Sequence, residues 1–213
     1  MLKRIFILLL ALISANCLGV NYDNSFSQTK TEITREALEA ERYAVYDALL
    51  NYLFSEVLKK TPSIIVIEEH TKIWYSNNIK AEEVPRALSY LKLPDMQKRL
   101  PSLSAATFDD FIAQNQVPVS LKDSFSVEPK RVILSAEEQK SLFSKGWQPL
   151  HKKYPNSQGL TTLSNVGFDG EMKQALVHII STREAIDGLA FYAVLEKQNG
   201  KWQVKEKYID WEP

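Results

Sequence analysis

From Thr34 onward the apolar residues Val45, Leu49, Tyr52, Leu53 and Val57 recur at helical spacing, while Arg35, Glu36, Glu39, Glu41 and Arg42 crowd the early turns. This pattern predicts one long amphipathic helix that ends near Lys59 and Lys60, ahead of Pro62, where two lysines suit the negative end of the helix. Ile64, Ile65, Val66 and Ile67 follow as an uninterrupted β-branched run, the composition expected of a central strand covered on both faces. Between Lys80 and Leu100, Pro85 and Pro94, with Pro101 just beyond, restrict any helix to short pieces, because proline lacks the amide a helix interior needs. A further helix is predicted to open at Thr107, whose hydroxyl can cap free amides, with Asp109 and Asp110 near the positive end and Phe108, Phe111 and Ile112 forming an apolar stripe.

Beyond residue 130 the pattern changes to alternation. Val132 to Leu134 read as a short strand, and Ser135-Ala136-Glu137-Glu138 is a capping box for a helix through Phe143. Gly146-Trp147 and Tyr154-Pro155 bracket a brief helical or irregular piece. Three strand-like runs follow, Leu163 to Phe168, Gln174 to Ser181 and Leu189 to Gln198, with Asp169-Gly170 in the turn between the first two. Asn199-Gly200 predicts a two-residue hairpin turn, since both residues tolerate positive φ. The last strand should carry Trp202, Val204 and Tyr208 on one face and Gln203, Lys205 and Lys207 on the other, with Ile209 and Trp211 following. The expected fold is therefore α+β: a single domain over 34–213, helix-rich over 34–130, with an antiparallel meander over 131–213 packed on a helix.

The residues before this domain read as an address. Lys3 and Arg4 precede the apolar run Ile5 to Ile13 and then small residues, the order of a cleavable export signal over 1–19. The run is far shorter than the roughly twenty residues that span a bilayer. Residues 20–33 are polar and predict a linker. Two fates are open for Cys17, the chain's one cysteine. It can bear a lipid as the first residue of a lipoprotein, although Ser14-Ala15-Asn16 lacks the Leu and small residue usual before such a site, or it can leave with the leader. Either fate leaves no free thiol and no disulfide, so the domain depends on its core. These readings place the protein outside the cytoplasm, periplasmic or lipid-anchored in a bacterial envelope.

Composition narrows the chemistry. The 26 basic residues balance 26 acidic ones, and losing Lys3 and Arg4 with the leader tips this only slightly, so there is no electrostatic footprint for nucleic acid and no membrane contact except through a lipid on Cys17. Seven glycines with no Gly-x-Gly spacing argue against nucleotide cofactors, and no Gly-x-Ser-x-Gly elbow surrounds Ser164. Among the three histidines, His151 beside Lys152 and Lys153 reads as a solvated side chain, and His178, between Val177 and Ile179, as a satisfied half-buried one. Glu68 and His70 end the buried strand and alternate along it, so they could face one way as an acid/base pair or as two metal ligands. With no third ligand in view, no metal and no cofactor are expected, and a polar end of strand accounts for both residues.

Several segments together carry a likeness: Tyr154-Pro155-Asn156-Ser157-Gln158-Gly159, Leu163 to Phe168, Gln174-Ala175-Leu176-Val177, and Leu195 to Trp202, closing at Trp211. They resemble a group of uncharacterised bacterial exported proteins sharing a "YPxSxG…LSRVGF…QALVY…LLEKxNGxWxV…W" pattern. The likeness is strong from about Leu134 and loose over Tyr43 to Leu53; Asn165 and His178 stand where the pattern has arginine and an aromatic. The resemblance implies an exported protein and a curved antiparallel sheet on helices, in a layout like cystatin or nuclear-transport-factor-2 folds, and no reaction. The expectation is thus a non-enzymatic binding or structural module whose partner is an envelope protein or a small ligand. The alternative is a small hydrolase or metal-dependent enzyme using Glu68 and His70. A peptide groove between the first helix and the meander is a third expectation.

Overall fold

The computed structural model describes residues 34–58, 64–73, 83–127 and 130–212, so the predicted leader, Cys17, the linker, Lys59, Lys60 and Pro62 lie outside the described residues. The elements in chain order are α1 (Arg35–Leu58), β1 (Ile64–Glu68), α2 (Val84–Leu88), α3 (Leu93–Arg99), α4 (Ala105–Gln114), β2 (Lys130–Leu134), α5 (Ala136–Phe143), α6 (Gln148–Lys153), β3 (Ser157–Leu163), β4 (Gly167–Phe168), β5 (Gln174–Glu184), β6 (Asp187–Gln198) and β7 (Lys201–Trp211). The fold is α+β, with a helix first, short helices next and a C-terminal antiparallel sheet packed on a helix.

Local chemistry explains most boundaries. Pro85 and Pro94 occupy the first turns of α2 and α3, where a missing amide costs nothing. The cap of α4 is Ser104, not Thr107 as expected: its hydroxyl accepts from the Thr107 amide at 3.1 Å, and Thr107 itself is fully buried inside the first turn. The Ser135 cap holds as read, its hydroxyl accepting from the Glu138 amide at 3.2 Å. Asn199 and Gly200 close the β6–β7 hairpin with φ of 50° and 77°.

The strands form one seven-stranded sheet in the order β2-β1-β3-β5-β6-β7, with β4 pairing β5. β1 lies parallel to both β2 and β3, and the remaining pairs are antiparallel. One face takes α1: Tyr43, Tyr46, Leu49 and Leu50 bury against Ile65, Ile67, Val177, Ile179, Phe191 and Leu195. Tyr52, one of the apolar positions read at helical spacing, is 44% exposed. The opposite face carries two covers. Met96, Leu100, Phe108 and Phe111 from α3, its C-terminal end and α4 pack on Leu176, Tyr192 and Val194, while Leu150 and its neighbours in and around α5 and α6 pack on Val66, Leu134 and Leu160.

β7 departs from simple alternation. Val194 pairs with Glu206 but Leu195 with Val204, and Phe191 pairs with Ile209 but Ala190 with Trp211, so Lys205 and Asp210 are extra residues at two bulges. The first bulge reverses which face each side chain takes. Trp202 and Val204 join the α1 core, whereas Tyr208 packs on the other face with Leu176, Tyr192 and Val194. Lys207 moves correspondingly to the α1 side, its ammonium 5.8 Å from the Phe191 ring centroid and 5.4 Å from that of Tyr52.

Candidate functional site

Between the sheet and α5 lies a cavity of about 250 Å³. Leu160 and Thr162 of β3 and Ile180 and Thr182 of β5 supply its sheet side. Gln139 and Phe143 of α5 and Trp147 just after it supply the helical side, with the Phe143 and Trp147 rings edge to face at 4.8 Å. β1 ends in this wall at Glu68, and Lys72 and Ala185 also line it among the described residues. The cavity therefore sits at the carboxyl end of the middle strand of the parallel trio, where open sheets with parallel strands commonly place ligands. Two irregularities adjoin it: β3 shifts register against β1 between its Ser157 and Leu160 pairings, and β5 shifts against β6 between Thr182 and Glu184. Bulges of this kind cluster next to functional sites because they re-aim side chains.

Glu68 is the charged centre of the wall, with a relative exposure of 3%. A buried carboxylate survives only if its oxygens are paired. Here the Lys72 ammonium lies 3.1 Å from Oε1, the Gln139 amide also donates to Oε1, and the Thr162 hydroxyl donates to Oε2 at 3.0 Å. These donors come from the loop after β1, from α5 and from β3, so the carboxylate ties three elements together.

His70 does not join Glu68 in the cavity wall. The strand stops at Glu68, His70 makes an isolated antiparallel bridge with Ser120, and its Nδ1 lies 3.7 Å from Glu69 Oε2 with the imidazole 42% exposed. Glu69 in turn accepts from the Ala136 amide at the start of α5, at 3.3 Å. No group of three histidine, cysteine or acidic side chains suited to a metal exists among the described residues. His151 differs from its reading as a solvated side chain: it stacks on Trp147 at 6.4 Å, and its Nε2 is buried without a partner.

The third histidine departs from expectation as well. His178 is 2% exposed, and neither ring nitrogen has a hydrogen-bond partner. It stacks on Tyr192 with centroids 4.3 Å apart, and the carboxylate of Asp210, from the second β7 bulge, stands 3.6 Å from Nε2, beyond hydrogen-bond reach. Burial and the nearby Asp210 carboxylate raise the Tyr192 phenol above its ordinary range. Ser164 is spent on structure: its hydroxyl accepts from the His178 amide at 2.8 Å and donates to the Asn165 carbonyl at 2.9 Å, and its own carbonyl accepts from the buried Tyr46 hydroxyl.

A second groove runs along α1, lined by Glu36, Glu39, Tyr43, Asp47, Ser124 and Ser126 among others. Its lining comes from α1 and from the segment around Ser124 and Ser126, not from the meander. Asp47 is engaged there as a clasp, both oxygens accepting from the Ser126 amide at 2.9 Å, and partial burial raises its pKa despite those bonds.

No family model, curated protein or solved structure matches the chain. The assignment of a site therefore rests on geometry. Of the residues singled out from the sequence, Glu68 lines the cavity and His70 lies outside its lining; Lys72, Gln139, Trp147, Thr162 and Thr182 are lining residues that sequence reasoning missed as site candidates. One signal was available: a charged residue closing a β-branched strand marks the place where a sheet delivers a functional group.

Proposed function

We propose that this is an exported protein of the bacterial envelope that works as a binding module, holding a small molecule in the cavity between Glu68 and Trp147. The leader-like first residues and the likeness to exported proteins support the address. The observation that carries the binding reading is the cavity itself: a largely apolar wall of Phe143, Trp147, Leu160 and Ile180 with a few fixed polar groups, the composition of a small-molecule site. Its volume suits a ligand smaller than the drug-sized molecules that fill pockets of roughly 300–1,000 Å³. The enzymatic alternative draws less support, because Glu68 is engaged by three donors and His70 is paired elsewhere.

Ligand-observed NMR on the purified full chain tests the binding reading with three probes of suitable size: benzoate, benzylamine and N-acetylglucosamine. At least one should give saturation transfer from the wild type and lose it with Trp147→Ala. If no probe shows a signal that depends on Trp147, the binding module is the wrong reading.

A further inference from the structure

Resting on that binding reading, we infer that the cavity ligand is a neutral polyhydroxylated ring, a monosaccharide unit, and not an organic anion or amine. The argument is one of charge and of hydrogen-bond valence. Glu68 and Lys72 face the cavity as an ion pair at 3.1 Å, so their charges cancel. A carboxylate ligand would gain Lys72 but meet Glu68, and an ammonium ligand would gain Glu68 but meet Lys72; each brings a like-charge contact against the wall. A neutral ligand meets neither penalty.

The uncommitted polar valence is mixed. Lys72 carries three donors, of which one points at Glu68. Glu68 has room for about four hydrogen bonds and receives three. Gln139 spends its amide nitrogen on Glu68, and its carbonyl oxygen has no partner among the described residues. The Thr182 hydroxyl, which both donates and accepts, likewise has none among them. Donors and acceptors thus stand side by side around one small space. A hydroxyl is the functional group that answers both, and several hydroxyls on one ring answer several sites, whereas a carboxylate only accepts and an ammonium only donates. The Phe143 and Trp147 rings and the Leu160 and Ile180 side chains supply apolar surface for the C–H faces of such a ring.

The three-probe NMR experiment also decides this point, with Thr182→Val added as a variant that keeps the side-chain shape and removes the hydroxyl. N-acetylglucosamine should bind the wild type more tightly than benzoate or benzylamine, lose its signal with Trp147→Ala and bind Thr182→Val about tenfold more weakly. Methyl N-acetylglucosaminide binding as well as the free sugar would mark the end of a glycan chain as the source, and its exclusion would mark the free sugar; both outcomes support the class. Benzoate or benzylamine binding in a Trp147-dependent way while the sugar does not would overturn the ligand class and leave the binding module standing. Sugar binding unaffected by both substitutions would place the sugar elsewhere and overturn the inference. Absence of any Trp147-dependent signal would overturn the binding reading beneath it. Urea melts of both variants establish that they fold.

Discussion

Lys72→Met removes the cation that Glu68 meets and leaves a carboxylate with 4% side-chain exposure in the cavity wall. Breaking a buried ion pair on one side costs about 3–5 kcal/mol. Two features of this pair lower the figure. The Lys72 side chain is 34% exposed, so water already screens part of the attraction, and the Gln139 amide and the Thr162 hydroxyl continue to hold the carboxylate after the lysine is gone. The expected loss is about 2 kcal/mol, equivalent to a fall in Tm of about 4–8 °C for a domain of this size. Glu68→Gln in the Lys72→Met background removes the stranded charge while keeping an acceptor for Thr162, and should recover more than half of the loss. Urea denaturation at pH 7 of the wild type, both single variants and the double variant completes the cycle, with coupling expected near 1–2 kcal/mol. If Lys72→Met melts within about 0.5 kcal/mol of the wild type, or if the two substitutions are additive, the pair does not stabilise the wall and the reasoning fails.

Three further predictions address other parts of the frame. Gly167→Ala places a methyl group 2.3 Å from the Phe111 amide nitrogen and 2.4 Å from its Cα; because backbone cannot yield as a side chain does, a loss of about 3 kcal/mol is expected, and a variant as stable as wild type would disprove the close α4–β4 contact. Tyr46→Phe deletes the 2.8 Å bond to the Ser164 carbonyl in a fully buried setting and should cost about 1.5 kcal/mol by urea melt, with an unchanged midpoint counting against it. The Lys153 ammonium, hydrogen-bonded to Glu138, holds the Glu138 carboxyl below its ordinary value, helped by the Tyr154 hydroxyl. A depressed folded-state value means that this contribution is present above the unfolded pKa of about 4.3 and disappears as pH falls through the lower folded one. Urea melts from pH 7 down to pH 3 should therefore show a shallower acid loss for Glu138→Gln than for wild type, and identical slopes would exclude the linkage.

What could be read from the chain was whatever is encoded over a few neighbouring residues. The α1 helix, the buried run of β1 and the Asn199-Gly200 turn all follow from periodicity or from one residue pair. The parallel placement of β1 between β2 and β3 depends on segments far away in sequence and has no local signature. Tyr208 illustrates a second limit: alternation assigned it to the face of Trp202, but the bulge at Lys205 is a backbone event, and nothing in Lys205 as a residue type announces it. The same holds for the site. Glu68 was visible as the end of a strand, yet Gln139 and Thr162 reach it from 71 and 94 positions away, and a spacing that long carries no motif.

The two extra residues in β7 also bear on how this molecule meets others of its kind. β7 is a border of the sheet, and a straight border is a ready template on which a foreign strand can add itself. Kinks at Lys205 and Asp210 interrupt the regular spacing of backbone groups along it, and charged side chains of both signs, Lys201, Lys205, Glu206 and Asp210 among them, punctuate it. A strand arriving from a neighbouring copy would fall out of step at each kink. The irregularity that lets the final strand serve both layers thereby also discourages fibre-like stacking through that border.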